Sequence, residues 1–231
     1  MKTKTFAFEI EKLMLTSKAE AEKLAASIRK AYWNEERGLF SDRAEQDNYS
    51  QHSNALAIIC GIVDEAQARE IGRKLVEDKT LAPASVYFKF YLHEALVKAG
   101  YGDDYMKWLD IWRENIAMGM TTWGETSDVS GTRSDCHAWG SSPNIEFFRT
   151  VLGIDSAAPA FSKVVIKPHL GDIKEIGGTM PHPEGQISVD YKRKGKDGIK
   201  AEITLPDGVE GSFIWNGKTH ILKSGENTIS L

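Results

Sequence analysis

Between Met120 and Ile154 the chain reads MTTWGETSDVSGTRSDCHAWGSSPNIEFFRTVLGI. Glu125 follows Trp123 by two residues, and Asp128, Arg133, Asp135, His137 and Trp139 come within the next fourteen. Carboxylates, a guanidinium, an imidazole and two indoles on one polar stretch are the parts a sugar-cleaving site needs. A carboxylate activates water, aromatic faces stack on a pyranose ring, and polar groups fix its hydroxyls. Each residue also has a plainer reading. Glu125 can be a solvated loop carboxylate, His137 a helix-end histidine satisfied by backbone, Asp135 a turn cap, and Trp123 and Trp139 core side chains. Ser141-Ser142-Pro143 reads as a helix cap, because no base-like partner for a serine nucleophile accompanies it.

The residue order separates these readings. TTWGET, SDCHAWGSSP and VVIKPHLGDI resemble the C-terminal part of bacterial α-L-rhamnosidases, inverting glycoside hydrolases built on a helical toroid. The resemblance runs from about Tyr32 to the C-terminus. It implies that Glu125 is the general base, deprotonating a water on the sugar face opposite the leaving group. It implies that His137 contacts the sugar, with Trp139 and Trp123 as stacking or wall residues. Arg133 then supplies positive charge beside the base, and Asp135 orients His137 or binds a hydroxyl. Many relatives carry the glutamate directly after the tryptophan, whereas Gly124 intervenes here. Asp128 is therefore the alternative base. Tyr49, Gln51, His52, Tyr87, Tyr91 and Trp33 are read as structural.

In this family the general acid comes from an acidic motif in the first half of the toroid, and that motif is absent from this sequence. Acid and base stand roughly 6.5–9.5 Å apart across the sugar in inverting enzymes. The chain is therefore expected to be a C-terminal portion of a rhamnosidase, carrying one side of the catalytic pair and inactive alone. Its expected partners are a rhamnose-containing glycan or glycoside and the missing N-terminal half. The alternative is a non-catalytic carbohydrate-binding or interaction module derived from such an enzyme. No cofactor or metal is expected.

The elements that must position these residues change type near residue 158. Up to there the pattern is helical, alternating half-exposed amphipathic helices with mostly apolar ones. Ser17-Lys18-Ala19-Glu20 is a capping box that predicts a helix running to about Tyr32. SQHSNALAIICGIV is nearly uncharged, Asp64 and Gln67 open a third helix, and SVYFKFYLHEALVKAG ends at Gly100. A fifth helix starts near Asp103 and a sixth at Ser142-Pro143. The expected fold is α then β in two domains. Residues 1–158 form about three hairpins of a partial (α/α)6 toroid, and 159–231 a small antiparallel β-sandwich. The strand evidence is the period of two in Ile187, Val189 and Tyr191 and in Ile199, Ala201, Ile203 and Leu205, with Asp197-Gly198 and Asn216-Gly217 as hairpin turns.

Composition narrows the partners. A net charge of −4 gives no electrostatic footprint for nucleic acid. No apolar run is long enough to span a membrane. Lysines open the chain, but Glu9, Glu11 and Lys12 interrupt the place of a signal peptide's apolar core. The two cysteines make no disulfide framework and no zinc spacing. Cys60 is expected to be a buried thiol.

Overall fold

A computed structural model describes residues 2–126 and 128–231, with side chains from residue 16 onward except that of Val129. The side chains of the lysine-led opening segment lie outside the described residues. The chain divides into two compact units, residues 1–84 and 85–231.

In the first unit, α1 spans Lys2–Tyr32. Ser17 lies inside it, not at its start. No glycine or proline interrupts residues 2–32, so nothing stops the helix from continuing through the capping-box sequence. A short hairpin of two-residue strands follows, β1 (Trp33–Asn34) with β2 (Leu39–Phe40). Then come α2 (Gln51–Ile59) and α3 (Glu65–Glu77). The α3 start is as read: Asp64 caps it by accepting from the Gln67 N–H at 2.8 Å. Helix α2 is not wholly apolar on its inner side. Asn54 is fully buried there and satisfied, accepting from Phe40 N–H at 2.8 Å and donating to the Phe40 and Ser50 carbonyls. Cys60 is exposed, because α2 ends one residue before it and Gly61 turns the chain with φ 67°. Both cysteines are free.

The second unit opens with α4 (Lys89–Leu96), continued by a π-turn over Val97–Tyr101 that ends around Gly100, at φ 89°. A 3-10 stretch, Gly102–Trp108, leads into α5 (Asp110–Ala117). After the loop of interest come α6 (Ser142–Glu146) and a second π-turn, Phe147–Val151. Gly153 then reverses the chain at φ 75°, so close to the Lys167 backbone that a Cβ would stand 2.2 Å from its carbonyl carbon. Only glycine fits there.

Strands follow at once: β3 (Ile154–Ser156), β4 (Lys163–Ile166), β5 (Glu175–His182), β6 (Gly185–Lys194), β7 (Gly198–Leu205), β8 (Glu210–Trp215), β9 (Lys218–Leu222) and β10 (Gly225–Ser230). They form two four-stranded sheets, in the orders β10-β7-β6-β5 and β3-β4-β8-β9. Pairing is antiparallel except between β4 and β8, which run parallel. Strands β5 to β7 lie between them in sequence but belong to the other sheet, so β4 and β8 are joined by a crossover and not by a hairpin. Asn216 and Gly217 form the two-residue β8–β9 turn with φ 47° and 74°, as their sequence predicts.

The alternating residues of β6 and β7 are buried together with Val164, Ile166, Phe213 and Leu222 of the other sheet, so both sheets share one apolar core. Tyr191 is fully buried in that core, and its hydroxyl donates to the Leu152 carbonyl at 2.8 Å. A second core joins Val86, Tyr105, Leu109, Trp112 and Val151. Ile173 and Ile176 pack against both cores. Among the described residues no helix is long and apolar enough to cross a membrane.

Candidate functional site

All six candidate residues lie in the second unit, on the loop between α5 and α6. Two backbone hydrogen bonds fold this loop on itself, Glu125 N–H to Ser134 C=O at 2.9 Å and His137 N–H to Trp123 C=O at 2.8 Å. Between these bonds Gly124 on one side faces Asp135 and Cys136 on the other, so the returning limb carries one extra residue, as in a bulge. The Thr122 hydroxyl adds a bond to the Asp135 carbonyl at 2.5 Å. A loop so cross-braced presents its side chains from a defined backbone despite containing little regular structure.

The loop is also tied to the helices beneath it. Trp112 of α5 donates its Nε1–H to the Gly140 carbonyl at 2.7 Å. Gly140 lies so close to Trp123 that an added Cβ would stand 2.8 Å from the Trp123 Cβ. Trp123 is half-buried and packs on the core around Tyr105, Leu109 and Trp112. Its indole anchors the loop, whereas Trp139 is 67% exposed.

Glu125 and Arg133 meet directly. The guanidinium donates Nη2–H to Oε1 at 2.6 Å and Nε–H to Oε2 at 3.1 Å, a bidentate pair. The Glu125 side chain is 24% exposed and that of Arg133 84% exposed. So exposed a pair adds little to stability, but the fork fixes the plane of the carboxylate. Each carboxylate oxygen keeps a second acceptor position for a water. Asp128 is engaged differently. Its Oδ1 accepts from the Ser130 N–H and hydroxyl at 2.9 and 2.6 Å, and the Ser130 hydroxyl above all holds its carboxyl below the usual range. Asp128 caps its own 3-10 turn, Val129–Gly131.

His137 is half-buried, and its ring stands edge-on to Trp139 at 6.2 Å between centroids. Asp135 is exposed, and the hydrogen bond it accepts from Thr122 is through its carbonyl. The structure thus brings together Glu125 with Arg133, and His137 with Trp139, on one braced loop. Tyr87 and Tyr91, read from sequence as structural, are exposed instead, and Tyr87 meets Trp139 at 5.3 Å between ring centroids. The signal was present in the spacing: Tyr87 and Tyr91 are four apart and so share a helical face. A cleft of about 630 Å³ is lined by Asp103, His169, Arg193 and Trp215, among others, and by no residue of the loop. Among the described residues no group of three or more His, Cys, Asp or Glu side chains is arranged to hold a metal.

Residues 153–230 match the bacterial alpha-L-rhamnosidase C-terminal domain family. The chain is similar to the C-terminal portion of bacterial α-L-rhamnosidases. Similar solved structures include a family GH78 rhamnosidase from Bacillus sp. GL1, at 24% identity and a TM-score of 0.74, covering 83% of this chain and 22% of that one. The α-L-rhamnosidase of Aspergillus terreus matches at 17% identity and TM-score 0.74, with 90% of this chain and 26% of that one covered. The Streptomyces avermitilis enzyme, solved with L-rhamnose, matches at 17% and 0.70, covering 90% and 23%. These likenesses establish a shared fold with glycoside hydrolases. The chain spans about a quarter of the length of the solved α-L-rhamnosidases it matches. No curated protein matches it.

Proposed function

We propose that this chain carries the base side of an inverting α-L-rhamnosidase active site. Residues 1–158 are read as the C-terminal half of an α/α-toroid domain and residues 159–231 as a C-terminal β-sandwich. The observation that carries the reading is the Glu125–Arg133 pair, held on a braced loop that also presents His137 and Trp139. In this reading a water bound to a free acceptor position of Glu125 attacks the anomeric carbon, and Glu125 takes its proton. Arg133 holds the carboxylate plane, His137 and Asp135 hydrogen-bond sugar hydroxyls, and Trp139 covers the ring. The general acid is supplied from outside this chain.

The test is a titration of the chain with L-rhamnose. His137→Ala is expected to weaken binding several-fold at an unchanged melting temperature. Unchanged affinity would make His137 structural. Rhamnose binding without activity, even when a toroid N-terminal half is added in trans, would favour a carbohydrate-binding module.

A further inference from the structure

The cleft of about 630 Å³ takes no part in the proposed reaction. It lies within the second unit, where the 3-10 stretch Gly102–Trp108 meets the β4–β5 loop and the turns β6–β7 and β8–β9. Its walls are locked together. An added Cβ at Gly171 would stand 2.4 Å from the Asp103 carbonyl oxygen, and one at Gly102 would stand 2.5 Å from the His169 ring. The Gly171 N–H donates to Asp103 Oδ1 at 3.1 Å. The Asp197 carbonyl accepts from Trp215 Nε1–H at 2.7 Å and from Asn216 Nδ2–H at 2.9 Å, which ties one turn to the other. A cleft braced in this way is preformed, as ligand sites usually are.

Arg193 is its best-held polar group. The guanidinium lies 5.2 Å from the centre of the Trp215 ring and donates to the Lys196 carbonyl and, at 3.4 Å, to that of Gly171. Its Nε is buried with no partner among the described residues. A guanidinium has more N–H donors than these contacts use. Lys107, Lys167 and Lys196 line the cleft beside it, and Asp103, Asp104, Asp172 and Asp197 match these four cations in number.

We propose that this cleft is a second, non-catalytic site that binds an uncharged oligosaccharide. The inference does not rest on the rhamnosidase reading, because it uses no residue of the Glu125 loop. Balanced cations and carboxylates leave no net charge to draw an ionic ligand. Donors and acceptors side by side suit a ligand of neighbouring hydroxyls, each of which both donates and accepts. Charged groups also make the stronger hydrogen bonds to them. Pro168, Ile214 and Trp215 supply apolar surface for the C–H face of a sugar ring. The volume falls in the middle of the range for small-ligand pockets. The carboxylates are not grouped to hold a metal among the described residues.

The experiment is an NMR titration of the whole isotope-labelled chain with cellobiose, with rutinose (a rhamnosyl-glucose disaccharide) and with inorganic phosphate. The signals followed are the Trp215 indole N–H and the Gly217 amide. At least one disaccharide is expected to shift both, with roughly millimolar affinity, and phosphate is expected to shift neither. The double variant Asp172→Asn, Lys196→Ala removes two exposed charges and should weaken that binding about tenfold at an unchanged melting temperature. If the double variant does not fold, the two changes are made singly, each expected to weaken binding. His137→Ala should leave the affinity at these signals unchanged. Disaccharide binding here beside a failure of L-rhamnose to bind at the loop would keep this site and remove the rhamnosidase reading. Binding of neither disaccharide at these signals overturns the inference, and L-rhamnose binding that depends on His137 would then leave the rhamnosidase reading standing. Phosphate binding more tightly than both disaccharides overturns it as well and makes the cleft an anion site.

Discussion

Glu125 and Asp128 are three residues apart and chemically near-equivalent, so their surroundings must decide between them. Glu125 has its carboxylate plane fixed by a two-point guanidinium contact and keeps acceptor positions for water. Asp128 spends one oxygen on the Ser130 backbone and hydroxyl. In an enzyme completed with the toroid N-terminal half, Glu125→Gln is expected to lower kcat by about 10²–10⁴ without changing the melting temperature. Arg133→Lys keeps the charge and loses the fork, so it should give a smaller loss in kcat. Near-normal turnover of Glu125→Gln beside an inactive Asp128→Asn would exchange the two assignments. The TTWGET and DCHAW strings located the loop, yet its bracing was not legible. The bonds Glu125 N–H to Ser134 C=O and His137 N–H to Trp123 C=O are made by backbone, which leaves no mark in side-chain identity.

At the scale of elements, helix starts with a side-chain cap were readable and helix lengths were not. Asp64 with Gln67 announces α3 because the cap is a local bond. The Ser17 box looks the same in sequence, but whether it is used depends on whether the residues before it are already helical. The tie of the loop to α5 was equally hidden, since it pairs the Trp112 indole with a carbonyl 28 residues away. Replacing Trp112 by Phe keeps most of the apolar contact and leaves the Gly140 carbonyl without its donor. The expected cost is about 1–3 kcal/mol, measured by urea denaturation. Faster amide exchange should appear at Glu125 and His137, because the limbs they brace lose their anchor. Exchange unchanged in the loop would mean that Trp123 alone holds it.

Helix α4 adds a pH dependence. His93 is buried among Tyr105, Trp108 and Trp112. Burial first, and the charge of Lys89 second, hold its imidazole down at about 3, against an ordinary 6.5. Between those values the unfolded chain binds a proton that the folded chain refuses. Stability should therefore be intact above pH 6.5 and fall as the pH drops toward 3, by at most about 1.4 kcal/mol per pH unit from this residue. His93→Phe keeps a ring in the aromatic cluster and removes the titration. Its urea midpoint should depend less on pH between 6.5 and 4 than that of the parent. Parallel pH profiles for the two proteins would show that His93 is not the source.

For the molecule as a whole, the change from a helical to a two-residue period was the clearest sequence signal, and it falls where the strands begin. It does not mark a break in packing. The second compact unit runs from residue 85 to 231 and holds the last helices and both four-stranded sheets. Sequence periodicity reports which face of an element is buried, not which neighbour buries it, so this joining was not readable. Ile173 and Ile176 lie against both cores, and Tyr191 from the strand side donates to Leu152 at the end of the helical side. Elements coupled through shared buried side chains unfold together. Near-UV dichroism, which reports the indoles of Trp108, Trp112 and Trp215, and far-UV dichroism of the strands should therefore follow one thermal transition for this unit. Ile173→Ala removes apolar contacts from both cores at once and should lower that transition without splitting it. Large-to-small changes of this kind cost about 2–5 kcal/mol when fully buried, and less at a half-buried position such as this one. If the variant instead splits the transition, with the sheets melting apart from the helices, Ile173 is the link between two otherwise independent folding units. Two transitions already present in the parent would show that the β-strands fold without the site-bearing helices.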